Sequence, residues 1–124
     1  MTELIEAVRR HADFDSEAEA RTATRAVLAA LGRRIARGEA EDIAEHLAGD
    51  PADWILPTES DGPTSLSVDE FVAFVAEEAD ADEDDAWDYV EAVLGGLSDV
   101  LPEAEFRGIT SQFPPEYDRL LVET

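Results

Sequence analysis

Apolar residues recur along this chain at spacings of three and four, which is typical of amphipathic α-helices. The pattern is strongest around two related strings, AVLAAL at Ala26–Leu31 and AVLGGL at Ala92–Leu97. Each string lies inside a longer apolar stripe. We therefore predict that the two strings form the middle of two long central helices, one in each half of the chain.

Start and stop signals divide the rest of the chain into further helices. Ser16–Glu19 and Ser67–Glu70 have the form of capping boxes, and Asp50-Pro51 places a capping residue before a proline. Gly38 follows three arginines and predicts a helix stop. The sequence thus predicts an all-α fold of about eight helices, near Thr2–His11, Glu17–Arg37, Glu39–Ala48, Asp50–Leu56, Val68–Ala79, Ala86–Leu101, Pro102–Phe113 and Tyr117–Leu121.

The two halves of the chain repeat the same layout. A shift of about 66 residues matches Glu17 with Glu83 and Val27 with Val93, and it also aligns the helix stops. We predict a single domain over residues 1–124, built by internal duplication from repeat 1 (2–56) and repeat 2 (68–122). Residues 57–67, rich in Pro, Ser, Thr and Asp, read as the linker.

Small residues occupy matching places in the two central helices. Ala29-Ala30 in the first half corresponds to Gly95-Gly96 in the second. Glycine costs about 1 kcal/mol relative to alanine inside a helix, so its presence needs a reason. We expect helices to cross closely at these positions, as core packing; the other interpretation is a ligand cleft.

The order of these helices, with Gln112-Phe113-Pro114 closing the seventh, resembles the bacterial and archaeal domain of unknown function 2267. The resemblance covers nearly the whole chain and rests on packing motifs. It implies an all-helical fold and often a salt-loving archaeal source. The first half shows His46-Leu47-Ala48 where the family usually has Gln-Leu-Pro. The resemblance implies no activity and no catalytic residues.

Charge modifies this picture strongly. The chain has 31 acidic residues, nine basic residues and a formal net charge of −22, and every basic residue is Arg. At molar salt the Debye length falls to about 3 Å, so carboxylate repulsion is screened. We predict that the protein works in a salt-rich cytoplasm, and the resemblance then implies a haloarchaeal type; an acidic protein from a low-salt cell is the other interpretation.

The same composition excludes several classes of function. No Cys is present, so disulfides and thiolate chemistry are excluded. The start of the chain lacks the layout of a signal peptide, and no apolar run is long enough to span a membrane. Nucleic acid is not expected as a partner because its phosphates require a basic surface.

The densest group of carboxylates lies between residues 80 and 91. Oxygen donors occupy positions 1, 3, 5, 9 and 12 of this stretch, which is the spacing of an EF-hand calcium loop. Asp85 stands where such a loop needs glycine. The first interpretation is an acidic helix N-cap formed by Asp82 or a neighbour. The alternative is a calcium site with the ligands Asp80, Asp82, Asp84, Asp88 and Glu91.

No residue pattern points to catalysis. His11 and His46 have no partner at metal-ligand spacing, and no nucleophile elbow is present. We predict no catalytic residues, no metal and no cofactor. The leading hypothesis is a non-enzymatic module that binds another protein or a second copy of itself. The alternative is an enzyme, or a small-ligand or divalent-cation-binding protein, that uses the carboxylates of residues 80–91.

Bulky apolar residues in the short last helix of each half predict where a partner would bind. Core packing is the first interpretation for Trp54, with the partner surface around it. The bulky apolar residues of the short helices are Trp54, Ile55 and Leu56, and Tyr117, Leu120 and Leu121.

Arginine is unevenly distributed between the two halves of the chain. Residues 1–56 have seven Arg and twelve acidic residues, whereas residues 57–124 have two Arg and nineteen acidic residues.

Overall fold

The computed structural model describes residues 3–34, 37–47, 49–56 and 68–110. This part of the chain forms seven α-helices and no strand. Three predicted features lie outside the described residues: the linker, the cap Ser67 of the fifth helix, and the eighth helix at Tyr117–Leu121. The helices are α1 (Glu3–Arg9), α2 (Glu17–Arg34), α3 (Arg37–Glu45), α4 (Asp50–Ile55), α5 (Val68–Ala79), α6 (Glu83–Val100) and α7 (Glu103–Thr110).

The central helices α2 and α6 both have 18 residues, and each begins at a side-chain cap. Ser16 Oγ accepts a hydrogen bond from the Glu19 N–H at 3.1 Å. Asp82 Oδ1 accepts one from the Asp85 N–H at 2.9 Å. These bonds satisfy N–H groups that a helix start leaves without a partner. The prediction that Asp82 caps the long helix is confirmed, and α6 begins at Glu83, earlier than the predicted Ala86.

The first helix of the chain packs chiefly against the central helix of the second half. At this crossing of α1 and α6, a Cβ added to Gly96 would lie 2.8 Å from Val8 Cγ2 and 3.0 Å from the Val8 backbone N. Only a residue without a side chain therefore fits. The predicted close crossing at Gly95-Gly96 is confirmed, and it belongs to the core.

The core lies between α2 and α6 and is closed by α1, α4 and α5. Val27 and Val93, which the shift of 66 matches, are both fully buried. Burying a side chain of this size contributes about 1.5–3 kcal/mol. The largest fully buried side chains are Phe71, Ile5, Leu28, Leu31, Ile43, Ile55, Leu97 and Ile109.

Two predicted helix ends are wrong. Gly38 lies in the first turn of α3 and is not the stop after α2. Asp50 is the first residue of α4 and not its cap; Gly49 is the N-cap, with φ 74°, and no side chain caps this helix. Glycine adopts that left-handed φ without steric cost. Gly49 therefore belongs to the start of α4. Helix α3 ends at Glu45, before the predicted Ala48.

Candidate functional site

The acidic stretch after α5 begins with a helix C-terminal motif. Asp80 has φ 55°, the left-handed conformation typical of the residue just past a helix. The Ala81 N–H donates to the Ala76 carbonyl at 3.0 Å, and the Asp80 N–H donates to the Glu77 carbonyl at 3.3 Å. These two bonds form a Schellman motif, so the backbone of Asp80 ends α5.

The other candidate calcium ligands follow on α6 itself. Asp82 is the N-cap, and Asp84, Asp88 and Glu91 lie within the helix. In an EF-hand these positions lie in an irregular loop that wraps the ion. Here the backbone is instead helical from Glu83, the fourth position of the stretch. Within residues 3–34, 37–47, 49–56 and 68–110, no group of three or more His, Asp or Glu side chains is arranged to hold a metal ion.

A cavity of about 370 Å³ lies beside this part of α6. Its other wall is the corner between α1 and α2, around Asp13 and Phe14, and the start of α2 at Glu19. Carboxylates therefore face the cavity from three parts of the chain. The lining residues are His11, Ala12, Asp13, Phe14, Glu19, Asp85, Asp88, Tyr89 and Glu91.

An aromatic pair forms part of the cavity wall. The rings of Phe14 and Tyr89 are stacked, with centroids 5.9 Å apart and an interplanar angle of 28°. Tyr89 Oη donates a hydrogen bond to Glu19 Oε2 at 2.8 Å, while Glu19 Oε1 accepts one from the Asp15 N–H at 2.7 Å. Glu19 thus fixes both the corner and the tyrosine ring.

The cavity has a strongly negative environment. Repulsion from Asp82, with smaller effects of desolvation, Asp88, Glu19 and Asp84, raises the pKa of Asp85 above its usual 3.8. Burial, the hydrogen bond to Glu19 and the nearby carboxylates raise the pKa of Tyr89, so its hydroxyl remains protonated. The lining includes neither Arg nor Lys. A cation would therefore meet little opposition here.

His11 lines the cavity and connects the end of α1 to α6. Its Nε2 lies 2.8 Å from Asp99 Oδ2, and Arg10 Nη2 lies 3.7 Å from the same oxygen. A Cβ on Gly95 would lie 2.7 Å from His11 Nδ1, so Gly95 makes room for the ring. His11 follows the C-terminus of α1, and its ring contacts α6 at Gly95 and Asp99.

A second acidic region lies at the junction of α3 and α7. Burial, followed by repulsion from Glu105 and Asp42, raises the pKa of Glu39 above its usual 4.5. His46 Nε2 lies 4.0 Å from Glu105 Oε2. A Cβ on Gly108 would overlap the Glu39 carboxylate, which therefore lies directly against the α7 backbone.

The predicted partner surface on α4 is only partly open. Ile55 is fully buried, while Trp54 and Leu56 are half-buried against the core. The Arg21 guanidinium lies over the Trp54 ring, 4.9 Å from its centroid. Trp54 is therefore a core-edge residue covered by a cation–π contact. Tyr117, Leu120 and Leu121 lie outside the described residues.

Reasoning from sequence missed the cavity because its walls are far apart in the chain. Tyr89 and Glu19 are separated by 70 positions. One local signal was available: Phe14 is a large apolar residue between two acids, in a corner with no helical period. In the structure Phe14 is half-buried against the core and stacks on Tyr89 of α6.

Fold and site together define an all-helical domain with an acidic cavity that has an aromatic wall. The chain belongs to the family described as "Uncharacterized conserved protein (DUF2267)", whose model matches residues 1–120. The family expected from the order of the helices is thereby confirmed. A comparison with curated proteins found no match. Among the described helices, none is both long and apolar enough to cross a membrane.

Proposed function

We propose that this protein is a non-enzymatic binding domain, and that its cavity receives a cationic group of a partner. One observation carries the proposal: the cavity joins a stacked aromatic pair, Phe14 and Tyr89, to carboxylates from three segments, with no Arg or Lys in its lining. An aromatic face and a carboxylate both attract ammonium and guanidinium groups.

The favoured ligand is an arginine or lysine side chain on a protein partner. Asp85 and Asp88 lie one helical turn apart on α6, and Asp13 faces them from the corner. A guanidinium between these walls can donate to carboxylates on both sides while it stacks on the Tyr89 ring. The volume of about 370 Å³ is ample for one such side chain.

A divalent-cation site at Asp80, Asp82, Asp84, Asp88 and Glu91 has less support. The Asp82 carboxylate is engaged as the N-cap of α6, and the Asp80 backbone is fixed in the turn that ends α5. Release of Asp82 would cost the α6 cap, about 1 kcal/mol. An organic cation in the cavity needs no such rearrangement.

We also propose that the cavity lies on the axis of an internal duplication. The shift of 66 matches Ser16 with Asp82, the two N-caps. It also matches Glu19 with Asp85, which both line the cavity and repel each other. The meeting of matched residues is what a pseudo-twofold arrangement would produce, and it supports two repeats in one domain. The net charge of −22, with Arg as every basic residue, supports work in a salt-rich cytoplasm.

A titration with short peptides tests the function. Isothermal calorimetry in 0.5 M and 3 M KCl would compare Ac-Gly-Arg-Gly-NH₂ with the same peptide containing citrulline, which has the shape of arginine and no charge. We expect binding of the arginine peptide only, weaker at 3 M because exposed charges are screened.

Matched variants localise the binding. Glu19→Gln should lower the affinity several-fold, since it removes a cavity charge and weakens the bond that fixes Tyr89. Glu17→Gln, an exposed position on the same helix, should leave it unchanged. Equal binding of both peptides, or equal effects of both variants, would contradict the proposal.

A further inference from the structure

One residue of the cavity wall differs from the others in the charge that it can carry. Among the described residues that line the cavity, only His11 has a side chain that can become positively charged. Histidine is the side chain whose charge ordinarily changes between about pH 5 and pH 8. The His11 side chain is 37% exposed, so its ring can exchange protons with the solvent. At this residue the charge of the cavity wall therefore depends on pH.

The ring of His11 is held in place from two sides. Asp99 Oδ2 lies 2.8 Å from Nε2, and because a carboxylate only accepts, this contact assigns a hydrogen to Nε2. The other edge of the ring lies against α6, since a Cβ on Gly95 would be 2.7 Å from Nδ1 and 2.8 Å from Cγ. A further proton is therefore gained at Nδ1, and the positive charge arises at a fixed place beside the cavity.

Charged groups face this ring from each element packed around it. Asp99 of α6 stabilises the protonated ring, and Arg10, 3.7 Å from the same Asp99 oxygen, weakens that effect. The carboxylates of the cavity also attract the proton, and they are the groups that a bound guanidinium would contact. A proton on His11 and a cationic ligand thus depend on the same negative charge. These carboxylates are Asp13 in the corner, Glu19 on α2, and Asp85, Asp88 and Glu91 on α6.

We propose that His11 regulates the cavity through its charge: neutral His11 permits a guanidinium group to bind, and protonated His11 opposes it. Repulsion between like charges in one cavity, partly screened at 0.5 M KCl, should lower the affinity about threefold. Linkage requires the reverse effect to have the same size, so the bound guanidinium makes His11 harder to protonate. This inference rests on the proposed function, because it needs a cationic ligand in the cavity.

NMR of the two histidine rings in the full chain tests the reverse effect without any substitution. The spectra would be recorded in 0.5 M KCl at about pH 6.5, with and without saturating Ac-Gly-Arg-Gly-NH₂. The peptide should lower the ratio of protonated to neutral His11 about threefold, which moves the ring signal toward its position at high pH. His46, which lies near Glu105 and does not line the cavity, should not change. An unchanged His11 signal at saturation would overturn the inference.

Calorimetry with matched variants tests the direct effect. The affinity of the wild type for the peptide should be about threefold lower at about pH 5.5 than at about pH 8. His11→Gln keeps an N–H donor for Asp99 without a charge and should remove most of this difference, whereas His46→Gln should retain it. A protonation of Asp85, whose pKa is raised, would persist in His11→Gln.

The outcomes separate this inference from the proposed function. Peptide binding that is equally strong at both pH values, or a pH dependence that His11→Gln leaves intact, would overturn the role of His11 while the cavity remains a cation site. A peptide that binds at neither pH would contradict the proposed function, and the inference would fail with it.

Discussion

Two acidic regions of this molecule have similar composition and different construction. At the cavity, Glu19 and Asp85 line the same open space of about 370 Å³, together with two stacked aromatic rings. At the α3–α7 junction, Glu39 and Glu105 face each other with the backbone of Gly108 pressed against one of them. In both regions the facing residues correspond under the shift of 66.

The difference shows that the role of crowded carboxylates depends on the space around them. Where a cavity and an aromatic wall are present, a cationic ligand can neutralise the negative charge of the carboxylates. Where the helices are in contact, as at Gly108 and Glu39, protonation or salt can relieve the charge. Composition alone does not distinguish these cases.

The largest expected effect concerns all the charges together. Raising KCl from dilute to molar concentration should raise the melting temperature steeply, because a net charge of −22 over 124 residues opposes the compact state until it is screened. Circular dichroism melts measure this. A parallel series with sorbitol at matched osmolality separates screening from general exclusion of solutes. Melting temperatures independent of KCl would remove the argument for adaptation to salt.

The next effect tests the packed crossing beside the cavity. Gly96→Ala should destabilise the protein by about 1–3 kcal/mol, because the new methyl group meets the Val8 backbone, which cannot move aside. Gly38→Ala is the control: among the described residues nothing lies within 4 Å of its Cβ position, and alanine should stabilise α3 by up to about 1 kcal/mol. Urea unfolding in 3 M KCl would measure both. A neutral Gly96→Ala would contradict the close crossing of α1 and α6.

A smaller effect separates structural carboxylates from those that line the cavity. Asp82→Ala should cost about 1 kcal/mol, since it removes the acceptor for the Asp85 N–H, while Asp82→Asn should retain most of the stability. Asp84→Ala removes an equivalent charge from the same turn without removing that bond and should cost much less. Equal losses for Asp82→Ala and Asp84→Ala would indicate that charge near the helix start, and not the cap, stabilises α6.

Much of the fold was predictable because its signals are local. The capping residues Ser16 and Asp82, the apolar stripes of α2 and α6, and the glycines at the α1 crossing all act within a few residues or through helical periodicity. The errors at Gly38 and Asp50 have a common cause. Glycine serves both ends of helices, so its position alone does not say which helix it ends or begins.

The site was less predictable because its parts meet only after folding. The sequence placed carboxylates at residues 80–91, but the EF-hand interpretation assumed an irregular loop where the chain forms α6. Phe14 and Tyr89 become neighbours only because the start of α2 lies beside α6. The facing of Glu39 and Glu105 similarly depends on the contact of α3 with α7, which no local pattern encodes.

The smallest expected effect is the pH dependence at the α3–α7 junction. The folded state holds the Glu39 proton more tightly than the unfolded chain does. Protonation therefore stabilises the fold fully below the ordinary pKa of 4.5, and this contribution is lost as pH rises through the higher folded-state value. Glu39→Gln should match the wild type at low pH and exceed it by about 0.5 kcal/mol at pH 7. Urea unfolding at a series of pH values measures the gap, and a gap that closes toward neutral pH would contradict the assignment.

Chemical-shift mapping tests the central claim most directly, because it observes both acidic regions in one titration. The labelled protein in 0.5 M KCl would be titrated with Ac-Gly-Arg-Gly-NH₂ and, separately, with its citrulline analogue. The account predicts saturable shifts at the amides of Phe14, Asp85 and Tyr89 with the arginine peptide alone, and no saturable shift at Glu39 or Glu105. Saturable shifts at the α3–α7 junction, or none at the cavity, would contradict it.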